Sequence, residues 1–588
     1  MRALLVYPEI PPTFWGYQRS LAVIRKRASL PPLGLVTLAA LLPPTWEVRL
    51  ADCNVTPLAD EDLLWAEAVL VSGMLLQAPA MLTVVRRARE CGRLVVVGGP
   101  AATTAPELFH AANIVFRGEA EGRVGELVRA VEAGGLAGIT LAPPPGYPDL
   151  AGAPVPRFDL LDLKAYASMS VQFSRGCPYS CEFCDVIEIF GHTPRVKSPA
   201  QVLAELDALL ALGWRGSLFF VDDNFVGNRR AVRSLLPALE RWQRAHGFPF
   251  DLFTEASINL AADPGLVAAM VRAGFSAVFV GIESPSRAAL EEAGKRHTLL
   301  LDPGVAVTTL TRAGLEVMAG LIVGFDSDDG EIFERQRAFV AALPMPVAMV
   351  GLLNAPPGTA LWRRLEREGR LRSHGCGDQF DRPNFRPAMD EAALLRGYAA
   401  VLRDLFAPAA YYRRCRELLD TLGPSPRVAR GAVDDALAFL RAVVRVGVLG
   451  RHRRYFWPLL RRGVRRGFAG LRKAIVLAVK GEHMIGYAAS EVLPRIERAL
   501  DEVARERCAA SADAQNDLAE VGGRGHHPVR LRGPLEWQHA VDHRPQASGR
   551  EELAEAVEEH GDQAALLLGR ARAQRRADDR EPAREQLA

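Results

Sequence analysis

The chain has 588 residues, 49% of them hydrophobic, and its 72 Lys and Arg nearly balance 69 Asp and Glu, which leaves a formal net charge of +3. This length is too great for a single core, and the near-neutral balance excludes the global basic surface typical of nucleic-acid-binding proteins. Eight cysteines are too sparse for a secreted disulfide scaffold. Because five are scattered and three lie within residues 177–184, we expect a reducing compartment and one metal site.

Residues 1–137 alternate short apolar runs with helical patterns. Strands are predicted at 3–8, 47–54, 68–74, 93–100 and 113–119. Apolar strands separated by helices are typical of a doubly wound, Rossmann-like parallel sheet, which binds ligands at the carboxyl ends of its strands. The start of the chain lacks the features of a signal peptide, and no apolar run is long enough to span a membrane. We therefore expect a cytoplasmic α/β protein.

A Pro/Gly-rich linker is predicted at 138–165, followed by a second unit at 166–387. Its strand-like runs begin at "SMSVQFSRG" and continue at 216–225, 250–258, 276–284, 316–326 and 346–359. Six strand–helix repeats predict a partial (β/α)6 barrel with function at the strand carboxyl ends. Residues 388–504 are predicted to be a helical domain. The segment 505–588 has Trp537 as its only Phe, Tyr or Trp and is predicted to be a disordered tail.

The loop "FSRGCPYSCEFCD" at 173–185 carries Cys177, Cys181 and Cys184. A structural zinc site needs four ligands, so here His192, Asp185 or a distant cysteine would have to complete it. Three thiolates on a [4Fe–4S] cluster instead leave one iron without a protein ligand. Both interpretations follow from the residues alone.

The spacing Cys-x3-Cys-x2-Cys, with Phe183 before the last cysteine, resembles the radical S-adenosylmethionine (SAM) superfamily. The resemblance implies that the open iron binds SAM, which is cleaved to a radical that abstracts hydrogen from an unactivated carbon. "VDDNF" at 221–225 stands where many members have a Gly-Gly-Glu motif, and "TEAS" and "GIES" resemble later strand-end motifs. The residues implied near SAM are Phe183, Asp222, Asp223, Asn224, Glu255 and Glu283. Taken singly, each carboxylate could equally be a solvated strand end or a helix cap.

The order of a parallel α/β domain and a radical SAM barrel resembles the cobalamin-binding branch of the superfamily. The resemblance implies cobalamin contacts at Asn54, Ser72, Gln77, Gly98 and Gly99. The Asp-x-His-x-x-Gly motif that gives cobalt a histidine is absent, and Asn54 in "DCNVTPL" stands at the histidine position. An amide is a poor cobalt ligand, so we expect no histidine on the lower face, where a residue or water near Leu76 or Gln77 would lie. Loss of cobalamin altogether remains the alternative.

Two segments, 183–232 and 14–35, resemble the subfamily of hopanoid 2-methylases. This resemblance implies methylation of an unactivated carbon of a hopanoid-type lipid at C-2, with a reductant such as ferredoxin or flavodoxin. Arg195 and Lys197 follow the cysteine loop and would bind a SAM carboxylate, face an electron donor, or simply lie in solvent. Two alternatives are a radical SAM cyclase of tetrapyrrole type and a non-catalytic cobalamin or redox sensor. Methylthiotransferases need three further N-terminal cysteines, and only Cys53 and Cys91 precede the loop.

Residues 451–480 contain ten Lys and Arg, no Asp or Glu, and interspersed aromatic and apolar side chains. Such a segment is typical of a surface that contacts anionic lipid. A basic helix docked on the barrel, with its charges in water, explains the pattern equally well. The sequence therefore leaves peripheral membrane contact open.

Overall fold

The computed structural model of the protein describes residues 1–134, 138–424 except 374, 376 and 379, and 432–522. Its N-terminal domain is a six-stranded parallel sheet in the order β2-β1-β3-β4-β5-β6. The strands are β1 (Arg2–Tyr7), β2 (Glu47–Asp52), β3 (Ala68–Ser72), β4 (Leu94–Gly98), β5 (Ile114–Phe116) and β6 (Ile139–Leu141). The strand order reverses between β1 and β3, which is the point where doubly wound sheets bind ligands.

Helices cover this sheet on both faces, where two apolar clusters form its core. They are α2 (Leu33–Leu41), α3 (Asp60–Trp65), α4 (Ala78–Glu90), α5 (Gly99–Thr104) and α6 (Val124–Glu132), whereas α1 (Gln18–Ile24) packs against the C-terminal helices. The five predicted strands are confirmed. The sixth, β6, was not predicted, because it is only three residues long and begins the segment that composition indicates as a linker.

The second sheet is the predicted partial barrel, with six parallel strands in the order β14-β13-β12-β11-β10-β7. Its strands are β7 (Ser168–Val171), β10 (Gly216–Phe220), β11 (Phe250–Ala256), β12 (Phe275–Glu283), β13 (Glu316–Val323) and β14 (Ala348–Leu352). Two short strands, β8 (Ser174–Arg175) and β9 (Arg195–Val196), pair antiparallel and bring together the two ends of the cysteine loop.

Eight helices accompany these strands. They are α7 (Val186–Phe190), α8 (Pro199–Ala211), α9 (Arg229–Ala245), α10 (Pro264–Arg272), α11 (Arg287–Glu292), α12 (Pro303–Arg312), α13 (Ile332–Ala341) and α14 (Ala360–Arg367). Three of them begin in the same way. The side chains of Ser198, Asp263 and Asp302 each accept a hydrogen bond from a first-turn N–H, and a proline follows each of these caps. Such caps fix where each helix begins and hence the length of the preceding loop.

The C-terminal region is helical, as predicted. It comprises α15 (Glu391–Leu405), α16 (Pro408–Thr421), α17 (Ala432–Ala442), α18 (Arg453–Arg465), α19 (Gly467–Tyr487) and α20 (Leu493–Gly522), with π-helical turns at Val443–Val448 and Ala488–Val492. Its buried residues share one hydrophobic cluster with the barrel. For example, the Tyr398 hydroxyl donates to the Val350 carbonyl at 2.8 Å. These helices therefore complete the barrel and do not form an independent core.

The predicted tail differs from the structure at its start, because α20 continues to Gly522. Within that helix, Glu506 accepts hydrogen bonds from Arg382 at 2.7 and 2.9 Å. The remainder, 523–588, lies outside the described residues. Of the helices that the structure describes, none combines the length and the apolar character needed to span a bilayer.

An N-terminal strap, residues 8–30, leaves the first sheet and crosses to the barrel and the C-terminal helices. Phe14 is fully buried and packs its ring against Phe406 and Tyr487, with ring centroids 5.0 and 4.8 Å apart. The Ser20 hydroxyl donates to the Val479 carbonyl at 2.6 Å. The strap thus joins all three parts of the chain.

Candidate active site

The cysteine loop lies at the carboxyl end of β7, folded back against α7. Gly176 has a φ of +94°, and a Cβ there would lie 2.8 Å from the Gly191 carbonyl oxygen. That carbonyl accepts the Cys177 N–H at 3.2 Å, and the Glu182 N–H donates to Ala293 at 3.0 Å. Only glycine fits at 176 without strain, so the tight turn before the first cysteine follows directly from the sequence.

Asp222 holds this loop from beneath. Its buried carboxylate accepts the N–H of Phe173 at 2.8 Å, and the N–H and hydroxyl of Ser174 at 2.7 and 2.6 Å. Burial raises the pKa of Asp222 to about 7, although these hydrogen bonds oppose the shift. The sequence predicts Asp222 beside SAM, but its oxygens are engaged by the backbone that leads into the loop. Its place in the structure is that of a loop anchor.

The three cysteines of the loop are half-buried free thiols. Burial raises the pKa of each, that of Cys181 to about 11. Among the residues that the structure describes, no three His, Cys, Asp or Glu side chains are placed to hold a single metal ion. Three thiols on one loop are the donor set of a [4Fe–4S] cluster that keeps one iron without a protein ligand, and we propose these thiols as its ligands.

Asn224 supports the first of these ligands. Its amide Nδ2 donates to Cys177 Sγ at 3.7 Å, and its Oδ1 accepts the Ser257 N–H at 3.1 Å. A hydrogen bond to a cluster thiolate tunes the reduction potential of the cluster. Asn224, predicted as a SAM residue, thus contacts a cluster ligand directly, and we propose that it orients Cys177.

Asp223 and Glu255 are the predicted SAM residues that retain free hydrogen-bonding capacity. The buried Asp223 Oδ2 has no hydrogen-bond partner among the described residues. Burial and the nearby Asp185 raise the pKa of Asp223 to about 6. Burial, followed by Asp223 and Asp222, raises the pKa of Glu255 to about 8. Two uncompensated carboxyl groups beside the cysteine loop can accept hydrogen bonds from ammonium or hydroxyl groups, and we propose that they face SAM.

We expect Glu255→Gln to alter the pH dependence of stability. The pKa of Glu255 in the folded protein lies above the ordinary value of 4.5, so the folded protein binds this proton more tightly than the unfolded chain. Stability of the parent protein should fall relative to Glu255→Gln as pH rises from about 4.5 to 8, by a few kcal/mol. Thermal melts of both proteins across this range measure the difference. Parallel curves would contradict the shift.

Glu283 is paired, unlike Glu255. It forms a buried ion pair with Lys295, which sequence reasoning did not single out. Burial alone would lower the pKa of Lys295, but Glu283 and the neighbouring cysteines raise it. Glu283 has a φ of +65°, and a Cβ on Gly281 would lie 2.3 Å from its Oε1. Gly281 of "GIES" therefore leaves space for the pair. The charge of the Glu283 carboxylate is compensated by Lys295.

An aromatic wall lines the same concave face of the barrel. Phe219 lies opposite Phe253, and Glu255 lies opposite Phe279 in the strand register. Residues two apart on a strand share a face, so Phe253 and Glu255 point into the same lumen. The rings of Phe219 and Phe253 stack at 4.6 Å, and Trp15 of the N-terminal strap meets Phe279 edge to face at 4.5 Å. Trp15 lies within the segment 14–35, but no role for it is predicted from the sequence.

Basic residues of α19 close the lumen at the opposite ends of the strands. Lys473 and Lys480 bind the buried Glu316 at 2.8 and 2.7 Å, and Arg472 binds Asp251 at 3.2 Å. Burial alone would raise the pKa of Glu316, but the two lysines lower it to about 2. In this half of the basic segment, the docked-helix interpretation is the one that the contacts support.

The switch point of the first sheet uses Asn54 and Gln77 as structural supports. Asn54 accepts the Ile10 N–H at 2.8 Å and donates to Pro8 and Asp52 at 3.2 and 2.8 Å. The fully buried Gln77 donates to the same Pro8 carbonyl at 2.7 Å and accepts the Met74 N–H at 3.0 Å. Asn54 is thus engaged by backbone and by Asp52, and Gln77 by backbone. Their contacts with cobalamin stay predictions.

Ser72, Gly98 and Gly99 meet at the carboxyl ends of β3 and β4. Gly99 has a φ of +84°, and a Cβ there would lie 2.3 Å from Ser72 Oγ. A Cβ on Gly98 would make only an ordinary contact, 3.6 Å from the Phe116 carbonyl oxygen. The two glycines leave backbone accessible at the ligand-binding edge of the sheet, which fits a large flat cofactor such as cobalamin.

We expect Gly99→Ala to lower both stability and retained cobalamin. Its backbone strain and the clash with Ser72 should cost about 1–3 kcal/mol. Gly98→Ala is the matched control, since it should leave the melting temperature unchanged. The measurements are thermal melts and the visible absorbance of protein-bound cobalamin. Equal behaviour of the two variants would contradict this account of the turn.

A buried ion network, termed here the interdomain clamp, joins the two domains and comprises Glu119, Glu121, Arg175 and Arg195. Glu119 receives Arg175 at 2.5 Å and Arg195 at 2.7 Å, and Arg175 also binds Glu121 at 2.7 Å. Both arginines belong to the β8–β9 hairpin, whereas both glutamates follow β5. The clamp therefore fixes the cysteine loop relative to the first sheet. Beside it lies a cleft of about 540 Å³, lined by both domains and by the linker prolines Pro143–Pro145.

Two buried ion pairs, one within the clamp and one outside it, correct the predicted roles of Arg195 and Lys197. Arg195 is taken up by Glu119 and by the Pro148 carbonyl, to which it donates at 2.6 Å. Lys197 is 3% exposed and forms a buried ion pair with Glu205. Neither side chain lies in solvent, and neither is free to bind SAM or an electron donor. Their carboxylate partners are distant in sequence or on the next helix, so the local pattern could not identify them.

Comparisons with known proteins agree with this arrangement. Residues 20–128 match the B12 binding domain, residues 171–335 match the radical SAM superfamily, and residues 359–497 match a domain of unknown function (DUF4070). An uncharacterized methyltransferase of Synechocystis sp. is 41% identical over 83% of this chain and 92% of its own length. The chain belongs to the cobalamin-dependent radical SAM methyltransferases. Within this family it is similar to the hopanoid C-2 methylase of Rhodopseudomonas palustris, with 32% identity over 83% of this chain and 93% of that protein.

Solved structures agree in fold. The radical SAM methyltransferase TsrM from Kitasatospora setae, with cobalamin and a [4Fe–4S] cluster bound, matches with a TM-score of 0.53 and 18% identity over 80% of this chain and 99% of that chain. OxsB, a cobalamin-dependent SAM radical enzyme, matches with a TM-score of 0.53 and 14% identity over 86% and 84%. Both support the predicted fold class.

Membership of the family confirms the predicted enzyme class and the predicted cofactors, which are a [4Fe–4S] cluster, SAM and cobalamin. When bound, these groups supply reductive cleavage of SAM, hydrogen abstraction and the transferred methyl group. The chain's own residues orient them: the cysteine loop presents three thiols, Asp222 fixes the loop, and the interdomain clamp sets its position against the first sheet. The non-catalytic sensor is thereby set aside.

Proposed function

We propose that the protein methylates an unactivated carbon of a hopanoid-type polycyclic lipid, at C-2. Two kinds of support favour this substrate. The similarity to the hopanoid C-2 methylase covers 83% of this chain and 93% of that protein. A hopanoid C-3 methylase of Methylococcus capsulatus is also similar, at 26% identity over 59% of the chain.

The aromatic wall is the observation that carries the proposal. Trp15, Phe219, Phe253 and Phe279 offer large apolar surfaces on the lumen side where Glu255 lies. Below these rings, Glu316 is already paired with Lys473 and Lys480. These charges compensate one another, so the lumen does not require a charged substrate. Apolar surface buried against such rings contributes about 25 cal/mol per Å², which suits a saturated polycyclic hydrocarbon.

A tetrapyrrole substrate is the second candidate. A bacteriochlorophyllide d C-12(1)-methyltransferase of Chlorobaculum tepidum is 23% identical over 65% of the chain, and an anaerobic magnesium-protoporphyrin cyclase of Synechocystis sp. is 29% identical over 27%. Flat aromatic macrocycles would also stack on the wall. Their acidic side chains would need a cation, and the lumen lysines described above are already bound to Glu316.

A membrane-borne substrate and a low-potential electron donor belong to the same proposal. Hopanoids reside in membranes, so peripheral contact with a membrane would bring the enzyme to its substrate. A ferredoxin or flavodoxin would supply the electron that the cluster requires.

Expression in a bacterium that makes unmethylated hopanoids tests the substrate. We expect 2-methylhopanoids to appear in lipid extracts, and Phe253→Ala together with Trp15→Ala to reduce them by at least tenfold, because both remove wall surface. Leu212→Ala, an exposed apolar change on the far end of α8, is the control. Unchanged hopanoids, with methylated tetrapyrroles in the same extracts of a pigment-producing host, would favour the second candidate.

A further inference from the structure

The exposed apolar side chains of the described residues are unevenly distributed. Ten of the twenty large apolar side chains that are exposed lie between residues 437 and 476, in the C-terminal helices. Isolated exposed apolar residues need no explanation, but a concentration of them marks an interaction surface.

Two stripes of these side chains run along neighbouring helices. Leu437, Leu440, Val444 and Val448 follow one another at spacings of three or four along α17 and the π-helical turn after it, which places them on one helix face. Trp457 and Val464 are seven residues apart on one face of α18, and Phe468 lies at the start of α19, just after the turn at Gly467. The Trp457 indole N–H donates to the Gly447 carbonyl at 3.0 Å, which holds the two stripes side by side. They form one surface, termed here the apolar face.

Exposed arginines accompany the apolar face along α18 and just before it. No Asp or Glu occurs anywhere from 436 to 481 in the sequence. Arg451, Arg453, Arg461 and Arg465 are exposed, and none of them pairs with a carboxylate within the part of the chain that the structure describes. By contrast, Arg472, Lys473 and Lys480 bind carboxylates of the barrel. Arg462 binds Asp420 of α16 and is not one of the unpaired arginines. The basic segment thus combines residues docked on the rest of the chain with four exposed, unpaired arginines.

We propose that the apolar face and its four arginines dock on the surface of an anionic lipid bilayer. Aromatic and aliphatic side chains would enter the acyl boundary, and the guanidinium groups would pair with lipid phosphates. Charge complementarity selects this occupant, because a face with unpaired cations and no anion is poorly suited to self-association. The segment that docks is 437–468, not the whole of 451–480. This inference deepens the proposed function, since it places the barrel that would methylate a membrane lipid at the membrane.

Co-sedimentation of the full chain with vesicles tests the proposal. The probes are vesicles of phosphatidylglycerol and phosphatidylcholine in equal parts, and vesicles of phosphatidylcholine alone. We expect binding to the first and little to the second, with binding weakened as salt rises above about 0.15 M. The vesicles contain no hopanoid, so a lack of vesicle binding would not count against the proposed substrate. Likewise, a lack of 2-methylhopanoids in the lipid extracts would not count against membrane docking.

Matched variants make the test specific. Replacing Arg453, Arg461 and Arg465 together by Gln should weaken binding roughly 100-fold, since each arginine contributes about one kcal/mol near an anionic surface. The control triple, Arg215, Arg230 and Arg241 to Gln, removes exposed arginines elsewhere and should bind normally. Val464→Glu should abolish binding, whereas Leu64→Glu should not, although both parent side chains are 56% exposed.

Thermal melts of every variant exclude misfolding as the cause. Vesicle binding that survives both Val464→Glu and the arginine triple would overturn the proposal. So would a dimer of the parent protein that Val464→Glu dissociates, because a second copy would then cover the apolar face. A full chain that fails to bind anionic vesicles, and binds them only once residues 523–588 are removed, would show that the chain itself covers the apolar face. That result would also overturn the proposal.

Discussion

Replacing any one of Cys177, Cys181 and Cys184 by Ser should abolish methyl transfer, with activity falling by at least 1000-fold. Each thiol is free, half-buried and held on the loop between β8 and β9. A hydroxyl is a poor cluster ligand, and with three protein ligands none can be spared. The measurements are iron and sulfide content, the visible absorbance of the cluster and 5′-deoxyadenosine formation, all under anaerobic conditions.

Cys91→Ser and Cys53→Ser are the controls for this series. Both cysteines are half-buried in the first domain, away from the cysteine loop. They should retain full iron content and SAM cleavage. A cluster that assembles normally in Cys177→Ser, or one that is lost equally in Cys91→Ser, would contradict the assignment of the ligands.

Glu119→Ala should uncouple SAM cleavage from methyl transfer. The variant leaves Arg175 and Arg195 without their shared buried carboxylate, at a cost of about 3–5 kcal/mol. The cysteine loop would still carry its three thiols, but its position against the first sheet would no longer be fixed. Because a misplacement of about 1 Å can cost 100-fold in rate, we expect methyl transfer to fall by that order while 5′-deoxyadenosine still forms.

Glu291→Ala is the matched control for the interdomain clamp. Its ion pair with Arg287 has a similar length, 2.8 Å, but both side chains are more than half exposed. Such pairs contribute about 0–1 kcal/mol, so stability and both activities should be unchanged. If Glu119→Ala lowered SAM cleavage and methyl transfer in equal proportion, the clamp would not position one domain against the other.

The sheets and the cysteine loop could be predicted because each depends on local pattern. Continuous apolar runs such as "RLVVVGGP" and "SAVFVGIES" become buried parallel strands wherever helices cover both faces. The three cysteines lie on one turn because Gly176 permits it. The strand β6 escaped prediction since three residues next to prolines carry no periodic signal.

The pairing of charged side chains could not be predicted. "VDDNF" presents two adjacent aspartates, and only the backbone that precedes the cysteines decides that Asp222 turns inward while Asp223 keeps an unpartnered oxygen. Arg195 meets Glu119 across 76 residues, and Lys473 meets Glu316 across 157. Such contacts depend on how finished elements pack. Sequence therefore indicates which residue types serve the site, and tertiary structure assigns their partners.

The basic segment of the C-terminal helices also shows what sequence can and cannot predict. Ten basic residues in 451–480 indicate an amphipathic surface, but the pattern alone does not tell which of them point inward. Arg472, Lys473 and Lys480 do so because Asp251 and Glu316 begin strands on the lumen side. The surface left exposed, 437–468, therefore differs from the segment 451–480 that the sequence indicated.

Mass spectrometry of the product made by the anaerobically reconstituted enzyme tests the central claim most directly. The assay contains cobalamin, a chemical reductant, a hopanoid substrate in detergent, and SAM whose methyl group carries three deuterium atoms. We expect a methylated lipid that retains the trideuteromethyl group, formed together with 5′-deoxyadenosine and only when cobalamin is present. A labelled product formed equally well without cobalamin, or SAM cleavage that leaves the hopanoid unmethylated, would contradict this claim.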